Sequence, residues 1–267
     1  MYHLQNITNT ITTKIKEIKP VLGKEPAKTY ELMFKTVLHS IGQIYFPEID
    51  RHPLLSTLTP DIETLVININ SLLRGRLAES TAHLKKTIDF IENARASKKR
   101  VYIILCDAFS LPEYLHTIYE FAESISVNNA LCSINPSEKT ATFKYLAQEY
   151  LKIKVSSSRK IVMQDVDNAL RQKIGASSRN RPFRSVDNLI HYHEFKTLDE
   201  LTTALFKIIN KLHKEIKNSL SQGYNVLIIA DHGYDLIRNT NTWKLTHRWD
   251  KDKICTSPFV PLLLIGK

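Results

Sequence analysis

The chain has 267 residues, 43% hydrophobic and 24% charged, with 37 Lys and Arg against 27 Asp and Glu for a formal net charge of +10. Such a composition excludes wholesale disorder, and the length suits one large domain or a catalytic domain with a helical extension. The positive excess favours an anionic partner, because a positive field concentrates phosphate-bearing ligands; a solvated, lysine-rich surface without such a role is the plain alternative.

The first residues, Met1-Tyr2-His3-Leu4-Gln5-Asn6, lack the basic cap and apolar stretch of a secretory signal, so a cytoplasmic location is expected. Residues 1–97 show no strand alternation. Across 62–95, Leu65, Ile69, Leu72, Leu73, Leu77, Leu84, Ile88 and Ile91 recur at helical spacing, and Pro47, Pro53 and Pro60 interrupt helices before them. A helical N-terminal region over 1–97 is predicted, with its boundary at Ala96-Ser97-Lys98-Lys99-Arg100, followed by a second domain over 98–267.

From there, short β-rich runs alternate with helical patterns. Strand Val101–Cys106 precedes a helix over 111–124, and strand Ala130–Ile134 precedes a helix over 141–152. Further strands are read at 161–165 and 189–193, then a long helix Leu198–Ser221, and strands Asn225–Ala230 and Phe259–Ile265. Such alternation predicts an α/β fold, a mostly parallel sheet with helices on both faces. Every apolar run falls far short of the ~20 residues a membrane span needs, so no membrane partner is expected. Cys106, Cys132 and Cys255 are odd in number and widely spaced, which suits reduced core residues better than a disulfide framework or zinc ribbon. No G-x-G-x-x-G or P-loop motif occurs. The loop-like segment 173–185 carries Lys173, Arg179, Arg181 and Arg184, which could track a phosphate backbone or simply be solvated.

Ligands of open α/β sheets bind at the carboxyl ends of strands, so the residues following each run matter most. The first strand releases Asp107, and the fifth releases Asp231-His232-Gly233. A lone Asp at a strand end is commonly a helix cap. Two adjacent ligand-type residues followed by a Gly that allows a tight turn suit a divalent site with oxygen and nitrogen ligands.

Ala230-Asp231-His232-Gly233 after an apolar strand resembles the signature of the alkaline phosphatase superfamily, and the chain looks most like a PglZ domain within it. The resemblance implies that Asp107, Asp231 and His232 bind one metal. It also makes His247, in Thr246-His247-Arg248 ahead of a final strand containing Val260-Pro261, a ligand of the other. The nucleophile it implies is Thr140 in Asn135-Pro136-Ser137-Glu138-Lys139-Thr140, with Thr142 and Ser137 behind it; capping the helix that starts there is the structural alternative for Ser137 or Thr140. Family members supply an Asp followed four residues later by a His for the second metal. Asp187 and His191 have that spacing but would lie before and within the strand read at 189–193, so His193 and Glu194 at its end are the better placed ligands. Zinc or manganese, one or two ions, fits this ligand set.

The implied activity is a metal-dependent phosphodiesterase using a Thr nucleophile. Lys139 and Arg248 stand as substrate-binding residues, and the basic excess favours a nucleotide or nucleic-acid-derived substrate. A second reading is a catalytically degenerate PglZ-like scaffold in a larger assembly, with the N-terminal helices binding a protein partner. A third, a basic nucleic-acid binder without chemistry, has charge alone behind it.

Overall fold

Residues 2–23, 26–42, 53–74, 89–93, 100–126, 129–135, 140–154, 159–178, 181–247 and 256–266 are described by the computed structural model. The first third is helical: α1 (Tyr2–Leu22), α2 (Pro26–Gly42), α3 (Pro53–Ser56), α4 (Thr59–Arg74) and a segment at 89–93, α5. Spacing explains the buried faces. Ile62, Leu65, Val66 and Ile69 line one side of α4, and Tyr30, Met33, Phe34 and Val37 one side of α2. Two threonines lie buried on α1. Each satisfies its hydroxyl on a carbonyl one turn back, Thr8 on Leu4 at 3.1 Å and Thr12 on Thr8 at 2.7 Å. Leu77, Leu84 and Ile88 lie outside the described residues.

The remainder is a mixed α/β unit. After β1 (Val101–Cys106) come α6 (Leu111–Glu120), β2 (Ala130–Ile134), α7 (Thr140–Leu151), α8 (Met163–Ile174), β3 (Ser177–Ser178), α9 (Ser185–Tyr192) and α10 (Leu198–Ser221). The chain then forms β4 (Asn225–Ala230), a hairpin of β5 (Asp235–Arg238) and β6 (Trp243–Thr246), and β7 (Phe259–Ile265). The main sheet has the order β2-β7-β4-β1-β3. β1 runs parallel to β3 and β4, while β7 is antiparallel to both β2 and β4.

The mostly parallel sheet expected from the sequence is therefore corrected to a mixed one. An apolar run buried on both faces encodes burial but not direction. β7 alone is reversed, so the carboxyl ends of β1, β2 and β4 still share one edge with the amino end of β7. Pro261 is tolerated inside β7 because the β4 ladder stops at Ile229 opposite Leu262, one residue short of it.

Alternation splits the sheet residues between two faces. Ile104, Cys106, Ile228 and Ala230 share a core with α1, α2, α4, α6 and α10. Ile103, Leu105, Leu227 and Ile229 pack with α5, α7 and α8. Cys106 and Cys132 are buried and form no disulfide among the described residues, as expected, and Cys255 lies outside them. No helix among the described residues is long and apolar enough to cross a membrane.

Two strand expectations are overturned. Residues 161–165 lead into α8, whose Met163, Val166 and Leu170 are buried at helical intervals, and 189–193 belongs to α9 and its C-cap. In α9 the buried residues Val186, Leu189 and Ile190 fall at i, i+3 and i+4, a helical pattern masked by the short Leu-Ile-His-Tyr-His stretch.

Candidate metal centre

Register brings the first two carboxylates together. Cys106 pairs with Ala230 at the ends of the parallel strands β1 and β4, so Asp107 and Asp231 leave the sheet side by side. Ligand atoms of Asp107, Asp231 and His232 all lie within 4.8 Å of one another, and all three residues are buried.

The two loops lock each other. Ala108 adopts a left-handed φ of 65°, and its N–H donates to Asp231 Oδ1 at 3.1 Å; the Phe109 N–H donates to the His232 carbonyl at 3.0 Å. A left-handed alanine costs roughly 1–2 kcal/mol, so these cross-loop bonds hold strain next to the ligands. Gly233 is required by close approach. A Cβ there would lie 2.6 Å from the Phe259 carbonyl and 3.0 Å from Ser110 Oγ. The Asn135 amide, at the end of β2, donates to the Asp231 carbonyl at 2.6 Å and fixes the loop from a third strand.

His232 has a fixed ring orientation. Its Nδ1–H donates to the Gly233 carbonyl at 2.8 Å, which turns Nε2 towards the carboxylates, 3.8 Å from Asp107 Oδ1 and 3.7 Å from Asp231 Oδ2. These separations exceed a hydrogen bond, yet they are close to the roughly 3.4 Å between ligands about 2.1 Å from a tetrahedral ion. Asp231 Oδ2 is buried and makes no hydrogen bond. Such an orphaned oxygen is costly unless a cation meets it, so two carboxylates and an oriented imidazole fit a divalent ion. Burial pushes the Asp231 carboxyl above its ordinary range, and the Asp107 charge adds to this, against the lowering effect of His232. Burial acts to lower the His232 pKa, but Asp231, the Gly233 carbonyl and Asp107 outweigh it and hold the ring basic.

A second group borders the first. Asp187 and His191 occupy one face of α9, one turn apart, with His191 Nε2 3.2 Å from Asp187 Oδ1. His247 follows β6, and its ring centroid lies 5.2 Å from those of both His191 and His232. Burial and the charge of Asp107 push the Asp187 carboxyl upward, while His191, His232 and Arg184 oppose them. The pair set aside in the sequence thus faces the site, because α9 is a helix. His193 and Glu194 are placed elsewhere. Glu194 is exposed and accepts from Thr242 and Lys244 on the hairpin at 3.2 and 3.4 Å, and exposed His193 stacks on Phe195.

Thr140 opens α7, and its hydroxyl donates to Asp107 Oδ1 at 3.4 Å. The Arg184 Nε–H donates to Asp107 Oδ2 at 3.0 Å. Arg184, which the sequence reading left among loop cations, is thereby a site residue. Lys139, Arg248 and Ser137 lie outside the described residues. Thr142 is two residues further along α7 than Thr140, which a helix turns away from Thr140's face. A scan of protein-family models and a search of curated proteins both find no match to this chain.

Proposed function

We propose that this chain is a metal-dependent phosphoester hydrolase of the alkaline phosphatase-like, PglZ-like type, acting on a phosphodiester of nucleotide or nucleic-acid origin. One observation carries the reading: two buried carboxylates and an oriented histidine, from the ends of adjacent parallel strands, converge beside a threonine hydroxyl at a helix start. Asp107, Asp231 and His232 would hold one zinc or manganese ion, and Asp187, His191 and His247 a second. Bound there, such ions neutralise phosphoryl charge and steady the attacking and leaving oxygens.

The chain's own groups supply the rest. Asp107 Oδ1 accepts from the Thr140 hydroxyl, which orients its oxygen lone pairs away from the carboxylate and towards the cleft. Thr140 is the first residue of α7, and the N–H groups at a helix start favour a phosphate bound nearby. Arg184, anchored through Nε, presents the rest of its guanidinium to phosphoryl oxygens. Attack by Thr140 Oγ forms a phosphothreonine as the bond to the leaving alcohol breaks, and that alcohol takes up the hydroxyl proton. Water then cleaves the phosphothreonine, releasing the phosphorylated product and restoring Thr140.

Hydrolysis of bis-p-nitrophenyl phosphate and p-nitrophenyl phosphate in zinc and manganese tests this. The parent is expected to turn over the diester, and Asp231→Ala and Thr140→Ala each to lose at least about a hundredfold. A parent inactive in both metals would favour the scaffold reading.

A further inference from the structure

Beside Thr140 the metal centre opens into a cleft of about 590 Å³, within the roughly 300–1,000 Å³ of small-ligand pockets. Its cations exceed what one scissile phosphate needs. Lys144 lines the cleft one helical turn beyond Thr140, hence on the same face of α7. Arg181 lines it from another side. That segment is fixed to the end of β1, since Phe183 N–H donates to the Leu105 carbonyl at 2.7 Å and Asp107 N–H to the Phe183 carbonyl at 2.8 Å. Arg184 is already engaged at Asp107, but neither Lys144 nor Arg181 has an ion-pair partner among the described residues. Apolar surface adjoins these cations, from Pro182 and from Val162, which is 46% exposed.

We propose that Lys144 and Arg181 form a subsite for a second phosphate group next to the scissile one, with Val162 and Pro182 meeting the sugar or base between them. The substrate is then a phosphoester with at least two phosphates, from a nucleic-acid strand or a free nucleotide. This rests on the hydrolase reading of the same site. A simple diester carries a single negative charge, which leaves these two side chains without a role; a neighbouring phosphate gives both charge-assisted hydrogen bonds.

Titration calorimetry in the Thr140→Ala background, with and without manganese, compares thymidine 5′-monophosphate, thymidine 3′,5′-bisphosphate and thymidine 5′-diphosphate. At least one two-phosphate ligand is expected to bind about tenfold tighter than the monophosphate. Adding Lys144→Ala and Arg181→Ala should shrink that advantage to about threefold or less, with the thermal midpoint unchanged. Preference for the bisphosphate marks a strand as the source, and preference for the diphosphate a nucleotide. Equal affinity for all three ligands, or an advantage that survives both substitutions, overturns the subsite. Diester turnover by the parent, measured separately, shows whether the hydrolase reading stands when the subsite fails.

Discussion

At the scale of single residues, the site depends on which side chains a backbone element turns inward. Asp187 and His191 have the four-residue spacing that stacks side chains on one helix face, and on α9 they meet at 3.2 Å beside His247 and His232. On a strand the same two residues would have been on the same face only by period two, and at the wrong end. If they complete a second metal position, Asp187→Asn and His191→Ala will each lower bound manganese from two ions to one per chain by equilibrium dialysis. Glu194→Gln and His193→Ala will leave it at two, since both residues are exposed on the hairpin side. Loss of an ion in Glu194→Gln would contradict the assignment. Asp107, Asp231 and His232 were legible in the sequence because each directly follows a long apolar strand. Asp187 and His191 were misplaced because a helix of eight residues shows too few turns for its period to stand out.

At the scale of elements, α6 reaches under the loop that carries Asp231 and His232 through Glu113. This fully buried carboxylate accepts from Tyr234 at 2.5 Å, from Tyr30 of α2 at 3.1 Å and from the Ser110 N–H at 3.1 Å, tying an N-terminal helix to the turn after His232. Burial pushes its pKa from an ordinary 4.5 up to about 7, against the lowering effect of these hydrogen bonds. The folded state therefore holds this proton to higher pH than the unfolded chain. The stabilisation is full below about pH 4.5, declines as pH rises towards 7, and is gone above it. The loss amounts to something on the order of 3 kcal/mol. His213 has the opposite sign, because burial, with His116 and Lys217, lowers its pKa and so costs stability as pH falls. Urea unfolding of the parent and Glu113→Gln at pH 5 and 7.5 separates the two effects. The parent should lose about 2 kcal/mol more than the variant over that interval, and equal losses would refute the role given to Glu113. None of this network was visible in the sequence, where Glu113 reads only as the third residue of a helix; its partners come from 83 and 121 positions away. Strand direction was equally hidden, since β7 and β4 have the same apolar texture and opposite sense.

At the scale of the molecule, the helical first third and the sheet share one buried core, with Leu4, Ile11, Phe34 and Leu65 in the same cluster as Ile104, Cys106 and Ile228. A fragment of residues 98–267 would expose that face of the sheet and of α6. It is expected to bind a hydrophobic dye and unfold without a cooperative transition, whereas the full chain unfolds in one step. Phe34→Ala should cost about 3–5 kcal/mol in that single transition; a fragment that unfolds cooperatively on its own would show two independent units. The shared core reaches the candidate site because Tyr30 and Glu113 are buried beside the loop that carries Asp231 and His232. The most direct test is metal content by mass spectrometry after loading with zinc or manganese and exhaustive dialysis, for the parent and Asp231→Ala. Retention of one or two ions per parent chain, falling in the variant, is the expected result. A parent chain that retains no metal, or a variant that retains as much, would contradict a metal centre built on Asp107, Asp231 and His232.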